Sequence, residues 1–355
     1  MTTATQNKRN IPMIYSILAF LTIVGVGVGI YRLAVGLGST TNLNDYFPWG
    51  LWIGLDVFLI PAAGAAFTVS AISHFFRIKE YHSIVRPAIL VGLLGYISVA
   101  LILILDLGRW HQFYNILIPP FINIHSFLEE VALSVTLYTM VLIVEFAPTI
   151  LERFNLETPA KWIHRGIMVI SGVGVLISTI HQSSIGSMFV ILEHKLHPIW
   201  WTPLIPFLFL TQALFGGLAM SAVVVKLIQE NLGMKADRNL LTKVGKLTRV
   251  LLSIYLVAKV ADWIVAGELG LLFTSGGFSL LIWAELILGI ALPLFLLFSD
   301  YVNRPVGVFW AGFWIIAGLF INRLTYGWIA LETPAWATYV PHWMEIMSSV
   351  GVLSG

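Results

Sequence analysis

Nine apolar runs, each long enough to cross a bilayer, take up most of this 355-residue chain. In hydrocarbon every backbone N–H and C=O must find its partner within the protein, which leaves only helices and closed barrels. Runs of about 20 apolar residues read as helices. With 58% hydrophobic and 11% charged residues and a mean hydropathy of +0.88, a water-soluble core is excluded and no separate soluble domain fits. The expected fold is all-α, a polytopic membrane protein of about 9–10 transmembrane helices. The first run, 11–35, lacks the cleavage pattern of a signal peptide and reads as a membrane helix.

The runs fall near 12–35, 49–76, 84–107, 124–146, 162–184, 203–229, 247–265, 278–298 and 305–322. Assigning alternate loops to opposite sides puts Lys8, Arg9, Arg77, Arg86, Arg153, Lys161, Lys226, Lys235, Arg238 and Arg304, with most other basic residues, on one side. The other side keeps only Arg32, Arg109, Lys195 and Arg323, and Lys259 falls inside a run. By the positive-inside rule the N-terminus is cytoplasmic, and the expected location is a bacterial inner membrane. Residues 49–187 and 203–323 read as two parallel four-helix bundles, after a first helix and outer loop (1–48). The last stretch, 324–355, is interrupted by Pro334 and Pro341 and its end is too short to cross, so it is expected at the outer surface or as a partial tenth helix.

Absent cysteines remove disulfides, thiolate zinc sites and cysteine-ligated iron–sulfur clusters from the chain. A net charge of +2 gives no reason to expect nucleic acid. The ionisable groups inside the runs are more informative. Asp56, Asp106, Arg109, Glu130, His181, Lys259, Asp262, Glu285 and Arg323 all lie toward the outer end of their runs. Buried polar groups in a membrane are costly and mark ion, proton or ligand paths.

Each has an ordinary reading beside the functional one. Phe47-Pro-Trp49-Gly-Leu-Trp52-Ile-Gly-Leu-Asp56 is a proline-led helix start with interfacial tryptophans, which accounts for everything except Asp56. Asp106 and Arg109, three apart, could be an ion pair at a helix end, while the adjacent Trp110, His111 and Tyr114 suit a ring-binding vestibule. In His125-Ser-Phe-Leu-Glu129-Glu130 the helix dipole explains Glu129, and the deeper Glu130 reads as a proton-transferring carboxyl. His181-Gln-Ser183-Ser-Ile-Gly-Ser187 concentrates hydrogen-bonding groups around a histidine, and a mere cap needs none. Lys259 and Asp262 are expected to satisfy each other, leaving Glu285 without a local partner. Glu145 either starts a proton path or snorkels. Gly25-Val-Gly-Val-Gly29 lies in an apolar helix with no strand before it, so it reads as helix packing rather than a nucleotide loop.

Histidine, carboxylates and arginine beside tryptophans suit a quinone head site, whose reduction takes two electrons and two protons. The expected proton-transfer and head-group residues are Glu130, His181, Asp106, Arg109 and Asp56. Trp49, Trp52, Trp110, His111, Tyr114, His125 and Ser183 would line the slot. The chain has no electron carrier, so a partner must supply one.

The motifs from Phe47 to Asp56, Asp106-Leu-Gly-Arg-Trp110, Glu145-Phe-Ala-Pro148, His181 to Ser187, His197-Pro198 and Arg323-Leu-Thr-Tyr326 occur in the order seen in the NrfD/PsrC family. The chain resembles that family over almost its whole length, and within it the HybB-type membrane subunits of periplasm-facing nickel–iron uptake hydrogenases. The resemblance implies a subunit without haem or cluster of its own, exchanging electrons with menaquinone or ubiquinone at the outer end of the first bundle. It implies as partners a periplasmic ferredoxin-like (HybA-like) iron–sulfur subunit, the hydrogenase large and small subunits, and membrane lipids. Glu130 falls at the family's fourth-helix glutamate, tied to proton transfer, and Asp56, Asp106, Arg109 and His181 match its other polar positions. HybB-type chains form a complete final helix beyond the position of Pro341-His-Trp-Met-Glu345, and here this chain departs from the pattern. Two other classes stay open: a di-haem cytochrome b, which needs facing histidine pairs, and a proton-coupled transporter.

Overall fold

The computed structural model describes the backbone of residues 2–123, 125–232, 238–334 and 336–355, and the side chains of 13–123, 125–231, 239–334 and 336–355. Lys8, Arg9, Lys235 and Arg238, which contribute to the orientation argument, and Ile124, at the start of an expected helix, lie outside those described in full. Among the described residues there is no strand, only an isolated bridge between Leu196 and Leu331. The chain is a multi-pass helical membrane protein.

The helices are α1 (Thr2–Val35), α2 (Leu51–Phe75), α3 (His82–Asp106), α4 (Phe127–Arg153), α5 (Glu157–Val190), α6 (Ile205–Leu232), α7 (Arg238–Ala266), α8 (Gly277–Phe298), α9 (Pro305–Ile329) and α10 (Trp343–Ser354). Eight described helices are both long and apolar enough to span. α7 has the length, 29 residues, but carries too many charges to qualify on composition. The helices α2 to α5 pack on one another, as do α6 to α9, and α2 lies against α6 between the groups. Contact there is close because Gly64 meets Gly217, where an added Cβ would stand 2.5 Å from the Gly64 carbonyl.

Local chemistry explains the irregularities. Pro61 inside α2 has no N–H, and the helix turns at Ala63–Gly64 before resuming at Ala65. The Gly64 N–H then bonds the Pro61 carbonyl, so Ile60 O is free to accept from Gln182 Nε2 at 3.2 Å. Ser126 caps α4 by accepting the Glu129 N–H. The ends of α2 and α9 and the middle of α8 widen into π-helical turns, a feature frequent at functional sites.

The described residues of the C-terminal stretch form no helix between Ile329 and His342, after which α10 runs antiparallel to α1. Gly25 packs against Gly351, with an added Cβ only 2.3 Å from the Gly351 Cα, as helix packing by the Gly25–Gly29 run requires. Thr22 and Ser354 hydroxyls share a hydrogen bond at 3.0 Å. Glu345, fully buried, ties this region to the start of α2: it accepts from Tyr339 Oη at 2.6 Å and from the His342 and Asn42 N–H groups, while Tyr339 Oη accepts from the Leu51 N–H. Burial, and then its bond to Glu345, pushes the Tyr339 phenol well above its ordinary pKa. Because the chain has no cysteine, a Thr22→Cys, Ser354→Cys pair tests this placement without background. Oxidation is expected to join the two ends, so that chain cut at an engineered protease site between α1 and α10 stays in one piece until reduced. Fragments that separate before reduction would contradict the packing.

Candidate functional site

Two groups of buried polar atoms without partners lie in and beside the α2–α5 bundle. The deeper one centres on His181 of α5, fully buried, with both ring nitrogens unpaired among the described residues. Its ring centroid is 5.9 Å from that of Tyr96 on α3, which meets Tyr138 of α4 edge-on at 4.8 Å. The two phenol hydroxyls and the Ser178 hydroxyl are buried beside it. A buried polar group without a partner costs on the order of 1–3 kcal/mol, and several together mark a place for water or a ligand.

From there polar groups continue toward the opposite face. Glu145 of α4 accepts from Ser171 Oγ at 2.5 Å, and Ser171 is 3.1 Å from His74 Nδ1. Glu145 and His74 open on a cavity of about 300 Å³ lined also by His82, Arg86 and His164. Glu145 is therefore buried in a hydrogen-bonded chain and does not snorkel.

The second group lies nearer the tryptophan-rich face. Asp56 of α2 is buried with both oxygens unpaired, and Trp52, one turn earlier, is buried with its indole N–H unpaired. Asp106, the last residue of α3, keeps one buried oxygen unpaired. Arg32 enters from α1, 1% exposed, its guanidinium 5.8 Å from the Trp52 ring centroid and its Nη2 donating to Leu107 O at 2.8 Å. The sequence put Arg32 at the outer end of the first run, and the structure adds that it is buried. The helix α1 reaches Val35, so Arg32 lies a turn inside it.

Between the groups stands Glu130, half-buried, accepting from Ser184 Oγ at 2.6 Å one turn along α5 from His181. Trp49 is half-buried against Phe189, and Ser183 is half-buried on α5. Trp110 spends its indole N–H on Leu33 O. Arg109, His111, Tyr114 and His125 lie exposed on the connection between α3 and α4, and the structure does not bring them to the buried groups. The Asp106–Arg109 ion pair that the spacing allowed does not form, because α3 stops at Asp106 and Leu107 is extended, so the three-residue spacing no longer places them on one helix face.

The α6–α9 group holds a separate network. Lys259 pairs with Glu285 at 2.5 Å, and Tyr255 Oη donates to the same carboxylate at 3.2 Å. Gln212 Nε2 donates to Tyr255 Oη and to Asn322 Oδ1, both at 3.0 Å. The expected Lys259–Asp262 pair is absent: Asp262 accepts from Thr202 Oγ1 at 2.6 Å. Three residues on a helix leave the two about 60° apart and about 4.5 Å offset, enough for each to find a nearer partner on another element. Arg323, fully buried, stacks on Phe209 with no hydrogen bond.

The family model described as "Polysulphide reductase, NrfD" matches residues 39–327, a stretch that contains His181, Asp56, Asp106, Glu130 and the Lys259–Glu285 network. The chain belongs to the NrfD family. This NrfD chain is 30% identical over 329 residues to the probable Ni/Fe-hydrogenase 2 b-type cytochrome subunit of Escherichia coli, covering 92% of this chain and 84% of that one. It is 31% identical over 367 residues to the integral membrane subunit of menaquinone reductase from Nitratidesulfovibrio vulgaris, covering 92% and 85%. A selenate reductase subunit of Mesobacillus selenatarsenatis is 24% identical over 71% of this chain and 64% of its own. The first relative's name includes a b-type cytochrome; in this NrfD chain two histidine rings, His74 and His82, lie 5.5 Å apart beside the cavity at the opposite face. The buried His181 has the Tyr96 ring beside it rather than a second histidine, and no cluster of three or more His, Asp or Glu among the described residues is arranged for a metal ion.

The sequence passed over Tyr96, Tyr138 and Ser178. Their only signal was hydroxyls at positions that apolar residues would fill more cheaply.

Proposed function

We propose that this chain is the quinone-reactive membrane subunit of a respiratory oxidoreductase, a hydrogenase in the first instance. It would pass electrons between an iron–sulfur partner on the tryptophan-rich face and the membrane quinone pool. The observation that carries this is His181: a fully buried imidazole with both nitrogens unpaired among the described residues, beside three buried hydroxyls. An imidazole can donate to a quinone carbonyl and take the proton back from the quinol, and the phenols wall the ring. The relative named as a menaquinone reductase subunit supports this substrate class. The charge asymmetry of the loops supports a cytoplasmic N-terminus and a periplasmic tryptophan-rich face in a bacterial inner membrane. Electrons come from a ferredoxin-like partner, since this chain has no cysteine to hold a cluster. Haem is not expected, and a pyridine haemochrome assay on the purified chain that finds one haem per chain would overturn that.

Glu130 is assigned to proton exchange at the outer side, with the Ser184 hydroxyl between it and the His181 turn. In the complex reconstituted with its partner, Glu130→Gln is expected to slow quinone turnover roughly tenfold to a hundredfold while leaving the quinone KM within a factor of about two. Weakened binding with normal turnover would reverse the assignment. Glu145, Ser171 and His74 offer a second route from the opposite face. Vesicles with a pH-sensitive dye on that side decide between them: an unchanged dye signal during turnover eliminates the Glu145 route.

A further inference from the structure

We propose that Arg32 is a substrate-binding residue of the same site, a donor that α1 inserts from outside the α2–α5 bundle toward an oxygen of the quinone ring. It depends on the quinone reading above and goes beyond it in naming the residue and the chemistry of its subsite. A guanidinium carries five N–H donors. In Arg32 only Nη2 has a hydrogen bond, to Leu107 O, while Nε and Nη1 are buried and unpaired. The Trp52 indole N–H beside it is buried and unpaired too.

Acceptors are close at hand and yet unused. Asp106 precedes the Leu107 that Arg32 bonds and Asp56 lies one turn beyond Trp52, yet both Asp56 oxygens and Asp106 Oδ1 are buried without a donor. Side chains this poorly matched inside a membrane mark a place for water or a ligand between them. The unpaired set is donors on one part, Arg32 and Trp52, and carboxyl oxygens on the other, Asp56 and Asp106. A quinone oxygen meets both needs in turn: as a carbonyl it accepts from the guanidinium and the indole, and as a quinol hydroxyl it also donates to a carboxylate. The overall reaction is unchanged, quinone plus two electrons from the partner plus two protons giving quinol.

The surroundings suit a ring. Trp52, Leu55, Ile102 and Leu105 form an apolar cluster of their own, separate from the main core, completed by Leu33 of α1 and Val352 of α10. Apolar walls around a few convergent polar groups are how small-molecule sites are built. The alternative is that Arg32 merely anchors the end of α3 through Leu107 O.

The test uses the assembled complex in proteoliposomes, with menadione and its reduced form as the quinone pair and an artificial dye as a readout of the partner alone. With Arg32→Gln the KM for menadione is expected to rise tenfold or more, with kcat changed less than threefold and dye activity unchanged. Arg32→Lys, which keeps the charge and loses the fork, should fall between. Trp52→Phe, which keeps the ring and loses the N–H, should raise KM a few-fold. If Arg32→Gln fails to assemble, the Lys and Phe variants decide: wild-type KM in both overturns the proposal. A lowered kcat or yield at unchanged KM also overturns it and leaves the anchoring role. His181→Ala in the same assay separates the two levels of failure. If it is inactive while the Arg32 variants bind menadione normally, only this inference falls; if it too turns over normally, the quinone site itself is elsewhere.

Discussion

Replacing His181 by alanine is expected to lower quinone-linked turnover of the assembled complex roughly a hundredfold or more while dye reduction by the partner continues unimpaired. Removing an imidazole that donates to and accepts from the reacting oxygen removes an interaction made as charge develops, so kcat should fall more than KM rises. The fold should tolerate the change. His181 makes no hydrogen bond among the described residues, so nothing is left newly unpaired when it goes. Quinone turnover within a factor of two of the native complex would remove His181 from the chemistry, and loss of dye activity together with quinone activity would indicate failed assembly instead.

The largest effect on stability is expected from Glu285→Leu. It leaves the Lys259 ammonium, 3% exposed, without its anion, its remaining contacts being Tyr255 Oη and the faces of Tyr255 and Trp263. Breaking a buried pair from one side costs about 3–5 kcal/mol, whereas replacing both partners by apolar groups of similar size is often nearly neutral. Glu285→Leu should therefore lower the midpoint of thermal denaturation in detergent sharply, and Lys259→Met, Glu285→Leu should recover most of the loss. Equal destabilisation in the single and double variants would mean that the pair itself contributes little. The quinone KM should not move in whichever variant assembles, because the network lies outside the bundle that holds His181.

Much of this was legible in the chain, because membrane helices declare themselves by length and apolarity and buried charge stands out against them. The burial of Asp56 and His181 was readable for that reason, while Glu130, expected deeper, is half-buried. What could not be read is which charge meets which. Sequence spacing paired Lys259 with Asp262 and Asp106 with Arg109, but pairing in a bundle is decided by neighbouring helices and by where a helix stops. Arg32 was legible in position but not in burial: at the end of an apolar run a cation looks free to reach water, and only the packing of α10 and α3 around α1 buries it. Tyr96 and Tyr138 were silent because tyrosine belongs equally to a core and to a membrane interface.

The pairing of Lys259 with Glu285 also bears on how the protein is made. Lys259 leaves the ribosome 26 residues before its partner, on the helix whose composition is least able to enter lipid unaided. A lone lysine at the centre of a membrane helix raises the cost of insertion by about 2.5–3.5 kcal/mol, and Lys259, nearer the end of α7, bears part of that cost. Lateral release of α7 from the insertion machinery should then wait for α8, the two entering as a hairpin with the ion pair already closed. A chain interrupted between them would leave α7 stalled or on the wrong side. Translation stalled before Glu285 should expose α7 to protease or to membrane-impermeant labelling, and allowing synthesis to proceed a further helix should protect it.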